Sequence, residues 1–136
     1  MTTQTPALTE PVPDLQLQML IRLLGKEPGT GLPITLNVPG GLVYGDLVTH
    51  DDWKADWAEA LRQVGVDGTE LLAGFPEAVD EAVDEVRGEQ GSQGLPRWIH
   101  LRRVTLTASG RQGGIELPVW RGRLGDVAGW ALGRPD

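Results

Sequence analysis

The side chains able to do chemistry are few and scattered along the 136-residue chain. There is no cysteine, which removes thiol nucleophiles, thiolate metal sites and disulfides and fits a reducing compartment. The two imidazoles, His50 and His100, stand in neither an H-x-H nor an H-x-x-x-H spacing that would join metal ligands. His50 falls at a helix start and His100 within an apolar strand, so each reads as structural. Ser92 and Ser109 lie in glycine-rich turns without the G-x-S-x-G of a hydrolase elbow. GKEPGTG (25–31) and GRQGG (110–114) lack the G-K-[ST] ending of a phosphate loop and read as linkers. Asp80 with Asp84, and Glu81 with Glu85, stand one helical turn apart and could hold a divalent cation. Like charges at that spacing repel, and EF-hand spacing is absent, so a solvated helix face is the simpler account. Catalytic residues, metals and cofactors are not expected.

The arginines offer a second chemistry. Arg121-Gly122-Arg123, with Trp120 and Trp130 nearby, has the residue types of a stacking platform for single-stranded nucleic acid. Strand alternation, however, puts Trp120 on the face opposite Arg121 and Arg123, where an indole is more naturally buried. The formal net charge of -7 also argues against general affinity for nucleic acid or anionic membranes. That charge is unevenly distributed. Residues 51–90 carry twelve acids against three bases, net -9, whereas residues 95–136 carry seven arginines against three acids, net +4. An acidic patch (Asp80, Glu81, Asp84, Glu85) and an arginine-bearing sheet (Arg102, Arg103, Arg121, Arg123) could attract one another between copies. Such contacts would give weak, salt-sensitive self-association.

The elements that must position these residues follow from periodicity. Residues 1–13 form a polar tail with neither Lys nor Arg, unlike an export signal, and 14–136 form a single α+β domain. Asp14 caps a helix whose Leu17, Leu20, Ile21 and Leu24 recur at helical spacing until Gly25. This apolar stretch is broken by Arg22 and falls far short of the roughly 20 residues that span a bilayer, so a cytoplasmic protein is expected. Ile34, Leu36 and Val38 alternate as a strand, Pro39-Gly40-Gly41 turns, and Leu42–Val48 returns as a hairpin arm.

Thr49 followed by Asp52 resembles a capping box and opens an acidic helical insert, 51–90, between the second and third strands. Trp53, Trp57, Leu61 and Val64 share one face of its first helix, which is expected to be buried in the core. A second helix from Pro76 should turn Val79, Val83 and Val86 inward. After a loop at 88–94, Ile99 and Leu101 lie in one strand phase and Val104 and Leu106 in the other, which predicts a bulge or bend at Arg102 and Arg103. A turn at 109–114 and strands over 117–124 and 127–132 complete the chain. Five antiparallel strands with one bend and a leading helix suit a small, partly closed barrel of the Sm-like or SH3-like kind, with an open sheet carrying its helices on one face as the alternative.

The closing run Trp120–Gly133, WRGRLGDVAGWALG, resembles the end of the gas vesicle protein U family. The likeness rests on Trp120-Arg121-Gly122, Val127-Ala128-Gly129 and Ala131-Leu132-Gly133. Trp98-Ile99-His100-Leu101 is similar to a strand of that family, and Leu36-Asn37-Val38 followed by Gly45 to its opening hairpin. The resemblance implies a non-enzymatic accessory protein of gas vesicle assembly, clustering or organisation, with shell or other accessory proteins as partners. An Sm-like RNA-binding or oligomeric scaffold module is the alternative, for which Arg121 and Arg123 would be needed.

Overall fold

The computed structural model describes residues 12–65, 67–87, 94–108, 110 and 112–135, with side chains for all of these except 84–87. Most of the expected tail, most of the 88–94 loop, Ser109 and Arg111 lie outside this set. The elements run α1 (Leu15–Leu24), β1 (Leu32–Val38), β2 (Gly41–Val48), α2 (His50–Val64), α3 (Thr69–Ala73), α4 (Phe75–Arg87), β3 (Trp98–Ala108), β4 (Ile115–Arg123) and β5 (Gly129–Leu132). A short 3-10 turn, Leu124–Asp126, links the last two strands.

Local chemistry explains the starts. The Asp14 carboxylate accepts from the amides of Gln16 and Leu17, capping α1, and its other oxygen accepts from the Trp130 indole at 3.1 Å. One carboxylate thus starts the first helix and ties it to the last strand. Trp130 and those two amides hold its pKa below the usual carboxylate value. Thr49 Oγ1 accepts from the Asp52 amide at 3.1 Å, as its place before α2 leads one to expect, and Gly65 ends that helix in the left-handed region at φ 69°.

All pairings are antiparallel, in the order β4-β3-β2-β1-β5. Consecutive strands β4 and β5 are therefore the two opposite edges. Leu124 N–H bonds Arg97 C=O at 2.9 Å, yet only four residues later Ala128 N–H bonds Asn37 C=O at 2.8 Å. Asn37 pairs through Leu42 with Thr107, ten residues up β3 from Arg97. A flat sheet would separate those points by about 33 Å, whereas four residues of chain reach about 14 Å at most. The sheet must therefore bend sharply. No ladder joins β4 to β5 among the described residues, so the closed form of the expected barrel is not made and the sheet is open.

The bend has a visible cause. Tyr44 pairs with Thr105 but Asp46 with Arg102, so two residues of β3 oppose Gly45 alone, and Arg103 takes φ 51°. This bulge lies at the predicted phase switch, and it lets Ile99, Leu101 and Val104 all enter one core. A Cβ on Gly45 would stand 2.9 Å from the Arg102 carbonyl oxygen, so a glycine is required opposite the bulge. The Arg103 guanidinium reaches the buried Asp46 carboxylate, with Nε at 2.8 Å, and Arg134 approaches it from the chain end at 3.6 Å.

Leu17 and Leu24 of α1 close the core over Ile34, Leu36, Val43, Leu47, Ile99, Leu101, Val104 and Leu124. Each such burial contributes about 1.5–3 kcal/mol. His100, between Ile99 and Leu101, points to the other side, where it meets Trp53 of α2. The helices are thus divided between the two faces of the sheet rather than gathered on one.

Two expectations about the insert are revised. On α2 only Trp53 is buried, and Val64 is 69% exposed. On α4, Val79 and Val83 stay exposed, and the side chain of Val86 lies outside the described residues. The short α3 was not expected; Gly68 precedes it at φ 82°, and it lacks the length for a periodic signal.

Candidate functional site

The seam between insert and sheet is the densest cluster of polar chemistry described. His50 begins α2 directly after β2, and Val48 of β2 pairs with His100 of β3. That register brings the imidazoles together, with His50 Nδ1 and His100 Nε2 3.1 Å apart. His50 Nε2 lies 3.0 Å from both carboxylate oxygens of Asp80 on α4.

An ionised carboxylate only accepts, so His50 must donate from Nε2; a neutral His50 then accepts on Nδ1 from His100 Nε2–H. Burial, helped by His50 and Arg121, pushes the His100 pKa down to about 3 against a weaker opposing pull from Asp80. His100 therefore stays uncharged near neutrality. Burial alone would raise the Asp80 pKa, but the bonds from His50 and Lys54 outweigh it and hold the carboxyl below its usual range.

Lys54, one turn after His50, donates to Glu77 at 2.7 Å and to Asp80 at 3.0 Å and lies 3.2 Å from Asp51. The bond to Glu77 does most to raise its pKa. Trp57 adds a bond from its indole to the Leu72 carbonyl at 3.1 Å. Together these contacts fasten α3 and α4 to α2 by polar clasps beside a modest apolar contact.

The arginines expected to interact are placed as follows. Arg121 is exposed beside His100, its guanidinium 4.1 Å from the Trp98 ring centroid, and partial desolvation lowers its pKa while Asp80 opposes the shift. Arg102 faces Asp56 of α2 at 3.5 Å. Burial raises the Asp56 pKa, with Arg102 partly offsetting it. Arg123 pairs with Asp126 at 3.2 Å, and Arg103 holds Asp46. All four arginines therefore have partners within the chain, and two of them draw the acidic insert onto the sheet. Of the acidic set, Asp80 is in the seam and Glu81 is exposed; Asp84 and Glu85 lie on α4 with side chains outside the described residues.

The closing motif also has a physical account. A Cβ on Gly122 would come within 2.2 Å of the Trp120 ring, so Gly122 leaves room for an indole lying along its own strand against the core. Arg121, between them, faces the opposite side with His100. The indole is on the core side, as alternation predicts.

Chemically, the Asp80–His50–His100 chain could hold or pass a proton, but it leads to a buried imidazole rather than to a hydroxyl or thiol. The cavity beside it, lined by Trp53, Trp57, Phe75, Asp80 and Arg121, is about 130 Å³. That is small against the roughly 300–1,000 Å³ of ordinary small-molecule sites. A larger groove of about 310 Å³ at the other end of the sheet, between Leu42, Leu106, Ile115 and Trp120, offers no titratable side chain. No group of three or more His, Cys, Asp or Glu residues suited to a metal occurs among the described residues.

His50, His100 and Lys54 were not legible as one site from the sequence, since the bulge hides the register that joins them. The hairpin followed at once by a capped helix was the signal available. No helix among the described residues is long and apolar enough to cross a membrane. No curated protein and no solved structure matches the chain. A family model described as gas vesicle protein GvpU-like matches residues 14–135.

Proposed function

The chain belongs to the gas vesicle protein GvpU-like family, and from that premise we propose that it serves gas vesicle assembly, clustering or organisation by binding, without catalysis. It acts in the cytoplasm on vesicle shell or other accessory proteins, and it self-associates. The observation that carries this reading is the insert. Residues 51–90 have net charge -9, and Val64 (69%), Leu71 (83%) and Phe75 (57%) are exposed there. Exposed apolar side chains in an acidic segment suit protein contact better than substrate turnover. The histidine seam, in this reading, holds the insert in place rather than reacting.

Flotation tests the reading. Purified gas vesicles mixed with the purified chain should carry it upward and should gather into larger particles. Protein left in the lower layer, with vesicle size unchanged, would overturn it. RNA binding is the less favoured reading, because Arg121 and Arg123 already have intrachain partners and the chain is acidic.

A further inference from the structure

The sheet ends on two strands, β4 and β5, whose outer edges carry no ladder among the described residues. The backbone groups they offer follow from the bonds they already make. Gly133 N–H bonds Pro33 C=O at 2.8 Å and Leu132 pairs with Ile34, so by alternation the N–H and C=O of Leu132 and Trp130 point away from β1 to the free edge. On β4, Leu124 N–H bonds Arg97 C=O at 2.9 Å and Arg123 pairs with Trp98, so the free edge there is presented by Arg123 and Arg121.

The two edges differ in their side chains. Trp130 packs on the core side, and Leu132, two residues on, shares that face yet is 64% exposed. Residues 127–133 contain no charge, and neither Pro nor Lys guards β5. The start of α1 enlarges this apolar edge: Asp14 bonds the Trp130 indole, and Val12 and Leu15, on either side of it in sequence, are 93% and 59% exposed. On β4, by contrast, Arg121 stands on the insert side with His100, and Arg123 shares its strand phase.

We propose that β5 pairs antiparallel with β5 of a second copy about a two-fold axis, Trp130 of each copy opposite Leu132 of the other and the two Ala131 residues facing at the axis. This rests on the self-association proposed above and names its surface. Antiparallel pairing sets free-edge residues directly opposite one another, with their side chains on one face, and that decides the occupant. β5 against β5 joins two core faces, and each exposed Leu132 gains an indole neighbour. β4 against β4 would bring Arg121 and Arg123 of two copies together, whereas β5 against β4 would set Trp130 beside Arg121, core face against insert face. About four main-chain bonds form, and the small Ala131 side chains permit the close approach, about 4.5 Å between Cα atoms, of a non-bonded pair. β5 is four residues long, so the contact falls short of the roughly 1,200–2,000 Å² of stable complexes and the dimer is weak. The inserts, held against β3 and β4, then lie at opposite ends of the joined sheet. Such a dimer is bivalent, and two vesicles bridged by many copies are linked by contacts that are individually weak. Since no charges meet, the pairing itself is nearly independent of salt.

Sedimentation velocity of the full chain, as a function of concentration at low and high salt, is the test. Ala131→Asp and Ala131→Arg set like charges face to face at the axis and should each weaken association about tenfold, while an equimolar mixture of the two should form heterodimers. Leu132→Pro removes an edge donor without a bond to β1 and should weaken association at least tenfold, with thermal unfolding of the dilute chain little changed. Wild type that stays monomeric at every concentration would overturn the self-association reading itself. Wild type that associates while both Ala131 variants match it, or a mixture that shows no recovery, would overturn this interface alone. Association lost at high salt would also overturn it, since that result means charged surfaces meeting each other.

Discussion

Replacing His100 should flatten the acid sensitivity of folding. In the unfolded chain this imidazole takes up a proton near pH 6.5; in the folded chain it does so only near pH 3, chiefly because it is buried, with His50 and Arg121 beside it. Its folded pKa is depressed, so above about pH 7 neither state is protonated and the group leaves stability independent of pH. Between about 6.5 and 3 the unfolded state holds the extra proton, and stability falls as pH falls by about 1.4 kcal/mol per unit. At pH 5 the accumulated loss is about 2 kcal/mol. For a chain of this size that corresponds to a Tm about 6–8 °C lower. The Asp80 pKa is lowered from its ordinary 3.8, so its own contribution begins to be lost only as pH falls below about 4, beneath both assay conditions. The assay is thermal unfolding of dilute wild type and His100→Gln at pH 7 and pH 5. The glutamine amide can still donate toward His50 but cannot take up a proton. Wild type should lose about 2 kcal/mol more than the variant between the two conditions. Equal losses would refute the reasoning, because His100 would then not be the group that burial keeps neutral.

Three other changes probe the framework, each read by chemical denaturation. Gly41→Ala places a Cβ 1.8 Å from the Thr107 carbonyl oxygen and should cost about 1–3 kcal/mol; an unchanged midpoint would mean the β2–β3 approach is looser than described. Thr49→Ala removes the oxygen that accepts from the Asp52 amide and should cost about 1 kcal/mol, whereas Thr49→Ser should cost less. Leu36→Ala empties a fully buried site at the centre of the core and should cost about 2–5 kcal/mol.

Where local chemistry decides, the sequence was readable. Asp14, Thr49 and Gly65 mark helix ends because caps are satisfied within a few residues, and Pro39-Gly40 turns the hairpin with Gly40 at φ 89°. The phase switch between Leu101 and Val104 exposed the bulge, since a slip of one residue would otherwise send half of that strand's apolar side chains outward.

What stayed hidden depends on distance along the chain. Whether a bent sheet closes is set by hydrogen bonds between β4 and β5, which no local pattern encodes. The meeting of His50, His100 and Asp80 needs the bulged register together with the placement of α4. The expected burial of Val79 and Val83 failed because periodicity marks an apolar face without saying that the same chain covers it. The charge split was visible, but its use was not: Arg102 with Asp56, and Arg121 beside Asp80, draw the insert to its own sheet.

A chain that links gas vesicles through binding surfaces of its own gathers them into larger particles. Light scattering of purified vesicles titrated with the chain measures that directly. Wild type should raise particle size at low salt and less so at high salt. Vesicles that bind the chain without growing, or that grow equally at low and high salt, would contradict the account.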